Sequence, residues 1–259
     1  MNLKRLGNTE VFIPEVGLGT WNYSGGIRPL RAGIQLGASL IDTAEGYYTE
    51  GIVGEAILPV RDKVFIATKV SGRNLAHDSV LRSCEASLEK LRTDLIDLYQ
   101  IHWPNPVYPI NGTMRALEKL VDRGYVSYVG VSNFSVKQMR EAQHCFPNYP
   151  IVSNQVLYNL NSRNIEKELL PYCLDNDITV MAYTPLDGGR LCRPGVGELS
   201  RIAAETGRTK AQIALNWCLC RENIIVIPKT DSFARTTENC GASGWRLSQD
   251  QLRRLDRAL

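Results

Sequence analysis

The stretch from Ser39 to Trp103 holds three segments of one kind: SLIDTA (39–44), VFIATKV (64–70) and IDLYQIHW (96–103). Each is a short β-branched or aromatic run that closes on a polar residue: Asp42, Lys69 and His102 in turn. The spacings, 27 residues and then 33, each accommodate one strand plus one helix, the interval at which successive parallel strands return to the same edge of a sheet. The three ionisable side chains are therefore expected to meet at one strand edge.

Working outward, strand-like runs are expected at 15–20, 39–43, 64–69, 96–101, 127–132, 151–156, 178–183 and 224–228, with amphipathic helical stretches between them. Gly37, Gly124 and Gly207 follow helical patterns at the position where a helix closes in a left-handed residue. Ser135-x-x-Gln138, Thr209-x-x-Gln212 and Ser248-x-x-Gln251 match the capping box at helix starts. Residues 3–13, around Gly7-Asn8, read as a small hairpin ahead of the main fold. Eight strands alternating with helices, with no low-complexity linker, predict an α/β fold, a (β/α)8 TIM barrel with an N-terminal β-hairpin and a single domain over 1–259; a doubly wound sheet is the runner-up. Gly17-x-Gly19 is not a dinucleotide fingerprint, because position 22 is Asn and no helix opens there.

A net charge of +3 with no long basic run gives no reason to expect nucleic acid or an anionic membrane as partner. The start, MNLKRLGNTEV, has no apolar core of a signal peptide, and no apolar run reaches the roughly 18 residues of a membrane span. A soluble, cytoplasmic protein is expected, and a monomer, since no heptad or exposed apolar stripe asks for a partner. The seven cysteines are scattered, odd in number and without a CxxC pair, which reads as free, mostly buried thiols. No metal is expected, because no ligand cluster has metal-like spacing.

Tyr47, just past Asp42, completes a chemical set. A phenol titrates near about 10, and an adjacent ammonium is expected to lower that value. Lys69 is the natural source of such a field, and a buried lysine needs a counter-ion, which Asp42 can supply. His102 can orient a substrate carbonyl or share the proton with Tyr47. Taken singly, Asp, Lys and His at strand ends are most often solvated or capping residues; the joint pattern carries the reading. His77, at a helix start, and His144, late in a helical stretch, read as structural.

IDTAEGY, FIATKV and LYQIHWPNP resemble three hallmark segments of the aldo-keto reductases. The similarity continues through GVSNF (130–134), SNQVLYNL (153–160), MAYTPL (181–186) and IPKTDSFARTTEN (227–239), nearly the whole chain in the family's order. The resemblance implies NADPH-dependent reduction of aldehydes and ketones, with Asp42, Tyr47, Lys69 and His102 as the catalytic tetrad and Tyr47, rather than the adjoining Tyr48, as acid. It implies that Ser132, Asn133, Asn154 and Gln155 bond near the carboxamide of the cofactor and that Tyr183 stacks on its nicotinamide ring. Gly19, Thr20, Trp21, Asp42, Thr184, Pro185 and Leu186 are implied as further cofactor contacts. Lys229, Thr230, Arg235, Glu238 and Asn239 match the segment that grips the adenosine half. There, Lys229 and Arg235 as two cations near a 2′-phosphate argue for NADPH over NADH.

The substrate pocket is expected from Trp21, Tyr48, His102, Trp103 and Tyr108 on the loops after the strands. The loop after Trp103 is short, and so is LDGGRLCRPGV between Pro185 and Gly197, so a long belt over the cofactor is not expected. The short loops resemble those of small aldehyde, diketogluconate and methylglyoxal reductases and predict an open site with broad selectivity for small carbonyls. Two other classes stay open: a nucleotide-sensing binding subunit, and a lyase using Lys69 as a Schiff-base nucleophile. A protonated Lys69 beside Asp42 disfavours the second.

Overall fold

The computed structural model describes residues 1–195 and 197–258. A two-stranded antiparallel hairpin, β1 (Leu3–Arg5) and β2 (Phe12–Pro14), comes first, turned by Gly7 at φ 53°. Eight parallel strands follow: β3 (Leu18–Gly19), β4 (Leu40–Asp42), β5 (Phe65–Val70), β6 (Ile96–Ile101), β7 (Val126–Ser132), β8 (Ile151–Leu157), β9 (Thr179–Tyr183) and β10 (Ile224–Val226). They pair in sequence order from β3 to β10. The sheet closes on itself through the parallel bridges Val16 to Val226 and Gly19 to Lys229, which excludes the open, doubly wound alternative. The first and last strands are shorter than the expected 15–20 and 224–228. At those ends single bridges replace a continuous ladder, and Pro228 has no N–H to extend it.

Helices α1 (Ile27–Gln35), α2 (Glu50–Ile57), α3 (His77–Leu91), α4 (Ile110–Asp122), α5 (Val136–His144), α6 (Leu169–Asp175), α7 (Glu198–Thr206), α8 (Lys210–Leu219), α9 (Phe233–Cys240) and α10 (Gln249–Ala258) lie in the connections and after the last strand. All three capping boxes form, at Ser135, Thr209 and Ser248, and Gly37, Gly124 and Gly207 all take positive φ. The seven cysteines are free; four are buried and Cys192 is exposed.

Strand alternation creates two cores. Ile41, Ile66, Tyr99 and Ile101 face the helices, while Leu40, Ala67, Leu98, Met181 and Ile225 face the barrel axis. The hairpin's Leu6 and Ile13 join the axial group, anchored by the Gly7 N–H donating to Thr179 Oγ1 at 2.8 Å. Because side chains on one face recur every second residue, Leu40 inside places Asp42 inside, and Ala67 inside places Lys69 inside, one layer nearer the C-terminal mouth. The apolar layer thus forms the floor of a polar one.

Packing within that barrel is tight at Gly130, where an added Cβ would lie 2.2 Å from Ser153 Oγ and 3.1 Å from Gln100 Cγ. Gly130→Ala is expected to cost about 1–3 kcal/mol by overpacking. Urea denaturation should show a lower midpoint that Ser153→Ala, by removing the clashing oxygen, partly restores; an unchanged midpoint for the single variant would count against rigid packing here.

Candidate active site

The polar layer is built around one ion pair. Lys69 Nζ lies 2.8 Å from both Asp42 Oδ1 and Oδ2 and 2.7 Å from Thr43 O, so three oxygens receive the three N–H bonds of an ammonium. Both side chains are buried, Lys69 completely. Burial pulls the Lys69 pKa down from its ordinary value, and the Asp42 carboxylate opposes that pull. A nucleophilic amine has no place in this cage, which removes the structural basis for a Schiff-base role. Gln155 Nε2 donates to Asp42 Oδ1 at 2.7 Å and fixes the carboxylate from across the barrel.

Tyr47 ends a single 3₁₀ turn, Glu45–Tyr47, directly after β4. Glu45 Oε1 accepts from Asn74 Nδ2 at 3.0 Å and from the Ser71 N–H, which ties the turn to the loop after β5. Tyr47 Oη then lies 3.2 Å from His102 Nε2, with the rings edge to face at 5.2 Å. Tyr48 takes φ 59°, which throws its side chain outward to 92% exposure. Of the two tyrosines, Tyr47 lines the cavity and Tyr48 does not, and the cause is in the backbone.

The expected lowering of the Tyr47 pKa is not what this arrangement produces. Lys69 Nζ sits 4.9 Å from the centroid of the Tyr47 ring, with its donors committed to Asp42 and Thr43. Burial first, then the negative charge of Asp42 and the neighbouring Tyr183, hold the phenol well above its ordinary range. A neutral phenol at physiological pH is a proton donor. His102 is shifted the other way, down to about 4, by burial and by the Lys69 cation. Its imidazole is therefore neutral across the physiological range and exchanges a single hydrogen bond with Tyr47.

These shifts predict a pH profile. With Tyr47 held high and His102 low, kcat/KM for the carbonyl reduction that the sequence resemblance implies should stay flat between about pH 5 and 8, where an unperturbed imidazole near 6.5 would bend it. Activity should fall only as pH drops toward the His102 value of about 4, when imidazolium forms beside Lys69. Stopped-flow rates over this range test it, and an inflection near 6.5 contradicts the assignment of a neutral His102.

Above this layer opens a cavity of about 1060 Å³. Thr20, Asp42, Tyr47 and His102 line it, rimmed by Trp21 and Trp103, which are more than half exposed, and Gly19 lines it beside Lys229. Ser132, Asn133, Gln155 and Tyr183 line it too, followed by Thr184, Pro185 and Leu186. Asn133 and Thr184 are held at positive φ, a strained conformation concentrated at functional surfaces. The Asn133 amide bridges the Ser132 hydroxyl at 2.9 Å and Tyr183 Oη at 3.0 Å, fixing the tyrosine beside the cavity. Lys229, Thr230, Arg235, Glu238 and Asn239 complete the lining.

Three expected contacts lie elsewhere. Asn154 faces away from the axis and donates to Phe134 O at 2.9 Å, as it must when its neighbour Gln155 faces inward. Tyr48 and Tyr108 are outside the cavity wall; Tyr108 Oη instead donates to Arg73 O at 2.8 Å and pins the loop after β6. Other residues were not singled out in advance. Thr43 and Thr49 extend a buried hydroxyl chain from the expected Thr20, with 3.0 Å links, and Thr20 Oγ1 donates to Asp42 O. Asp231, in the cavity wall, forms an ion pair with Lys229 at 2.6 Å, so Lys229 and Arg235 are not two free cations. The signal for Asp231 was present as a carboxylate two residues past Lys229.

The model of the Aldo/keto reductase family matches residues 15–259. A methylglyoxal reductase of Escherichia coli is 39% identical over 96% of this chain and 92% of its own length, and a glyoxal reductase of Bacillus subtilis is 35% identical over 95% and 89%. Among solved structures, a thermostable aldo-keto reductase in complex with the inhibitor epalrestat superimposes with a TM-score of 0.92 at 37% identity, covering 99% of both chains. An aldo/keto reductase from Klebsiella pneumoniae in complex with NADP and acetate gives 0.90 at 35% identity, covering 98% of this chain and 94% of that one. Barrel, site and matches together define an oxidoreductase. The chain belongs to the aldo/keto reductase family.

Proposed function

We propose that this protein reduces small aldehydes and ketones, 2-oxoaldehydes among them, to alcohols with NADPH, Tyr47 acting as the general acid. The observation that carries the reading is a phenol and an imidazole 3.2 Å apart in the wall of a cavity that also carries Arg235 and Lys229. NADPH fits the donor set: Tyr183 offers an aromatic wall, Asn133 and Gln155 offer amides, and Arg235 has no ion-pair partner among the described residues. When bound, NADPH supplies the hydride.

The chain's own part is placement and charge. A carbonyl oxygen set between Tyr47 Oη and His102 Nε2 receives one hydrogen bond from each, both stronger as negative charge develops on it. Tyr47 then gives up its proton to that oxygen. Lys69, 4.9 Å from the ring centroid, faces the phenolate left behind, and Asp42 and Gln155 keep the ammonium in place. Trp21 and Trp103 provide apolar walls to small substrates without enclosing them, which supports broad selectivity. The same reading takes the enzyme as a monomer acting in the cytoplasm, testable by sedimentation and fractionation.

The test follows NADPH absorbance against a panel of small aldehydes, methylglyoxal and keto-sugars. Turnover across the panel supports the reading, and activity confined to one bulky ketone sinks the claim of breadth. NADPH binding without any turnover would favour a nucleotide-sensing role.

A further inference from the structure

In the cavity wall Asp231 is held from three sides. Its Oδ2 lies 2.6 Å from Lys229 Nζ, and its Oδ1 accepts the Ser24 N–H at 2.8 Å. The loop carrying Ser24 presses against it: a Cβ on Gly25 would fall 2.8 Å from the Asp231 Cα and carbonyl oxygen, a spacing only glycine allows. The carboxylate is thus fixed, with one oxygen on the cavity's cation and the other on a backbone amide. Four charged side chains between positions 229 and 238 line the cavity, Lys229 and Arg235 against Asp231 and Glu238, and their formal charges cancel.

A neutral lining with a fixed carboxylate treats the two dinucleotides differently from a purely cationic one. A 2′-phosphate brings roughly −1.5 to −2 charges, accepts but does not donate as a dianion, and gains Lys229 only by competing with Asp231. A ribose 2′-hydroxyl can donate to the carboxylate, which accepts only. Resting on the reductase reading above, we propose that Asp231 sets dinucleotide choice in this chain, weakening the hold on the 2′-phosphate so that NADH is used beside NADPH.

The experiment is a binding titration, read by quenching of tryptophan fluorescence, with NADP+ and NAD+ on wild type, Asp231→Asn, Lys229→Met and the double variant. Asn keeps an acceptor for the Ser24 N–H while removing the charge. Wild type is expected to prefer NADP+ by no more than about thirtyfold, and Asp231→Asn to widen that preference about tenfold, equivalent to roughly 1.4 kcal/mol. Lys229→Met should cost NADP+ less than about threefold in wild type and more than about tenfold in the Asp231→Asn background, because only there is the lysine free. An unmoved NADP+/NAD+ ratio in Asp231→Asn, or equal costs of Lys229→Met in both backgrounds, overturns the proposal. If Asp231→Asn does not fold, Lys229→Met alone decides: a loss of about tenfold or more for NADP+ means the lysine was never neutralised. Binding of neither dinucleotide rejects the reductase reading and this inference together. Tight NADP+ with no detectable NAD+ rejects this inference alone.

Discussion

Tyr47→Phe is expected to lower carbonyl reduction by at least about a thousandfold, within the range that a positioned general acid supplies, while dinucleotide binding persists. The variant removes one oxygen and leaves the ring between His102 and Lys69. Among the described residues that oxygen has a single side-chain partner, His102 Nε2 at 3.2 Å, so the fold loses one hydrogen bond, about 1 kcal/mol. The chemical loss is larger, because among the described residues no other side chain beside the carbonyl has a proton it can give up: Lys69 is committed to Asp42 and Thr43, and a neutral His102 can donate a hydrogen bond without serving as an acid near pH 7. Tyr48→Phe is the matched control. Its side chain is 92% exposed, and its loss should leave the rate within about twofold. Single-turnover rates with fluorescence titration of cofactor separate chemistry from binding. If Tyr48→Phe is the inactive variant, or Tyr47→Phe keeps a tenth of the rate, the assignment of the acid is wrong.

Much of the layout of this site is legible in the sequence because strand periodicity does the placing. Asp42 and Lys69 sit two residues beyond axial apolar positions, so an alternating pattern that buries Leu40 and Ala67 carries the polar pair inward with them. The same rule, applied to neighbours, excludes Asn154 once Gln155 faces the axis. What stayed hidden depends on atoms rather than pattern. Whether Lys69 acidifies Tyr47 turns on where Nζ points, and it points to Asp42 and Thr43 beside the ring instead of to the hydroxyl. Tyr48 turns outward because of a left-handed backbone that no periodicity encodes. Asp231 reaches Lys229 across a two-residue loop separation, a contact set by how Gly25 lets another loop approach. Barrel closure likewise rests on single bridges at Val16 and Gly19, between strands far apart in the chain.

Lys69→Met should separate the structural and chemical duties of the ion pair. Removing the ammonium leaves Asp42, 3% exposed, as a buried carboxylate whose remaining side-chain donor is Gln155. Breaking such a pair from one side costs about 3–5 kcal/mol, and for a chain of this length that is a fall of about 10 °C in Tm. Adding Asp42→Asn removes the stranded charge while keeping an acceptor for Gln155 Nε2, so the double variant should regain most of the lost stability. Activity should not return, because the phenolate formed when Tyr47 gives up its proton no longer faces a cation. Stability and rate therefore part company in the double variant, a result that a merely scaffolding lysine cannot produce. If Lys69→Met loses less than about 1 kcal/mol, the pair is no more than a surface contact in energy. If the double variant recovers rate along with stability, Lys69 acts only by holding the barrel mouth in shape.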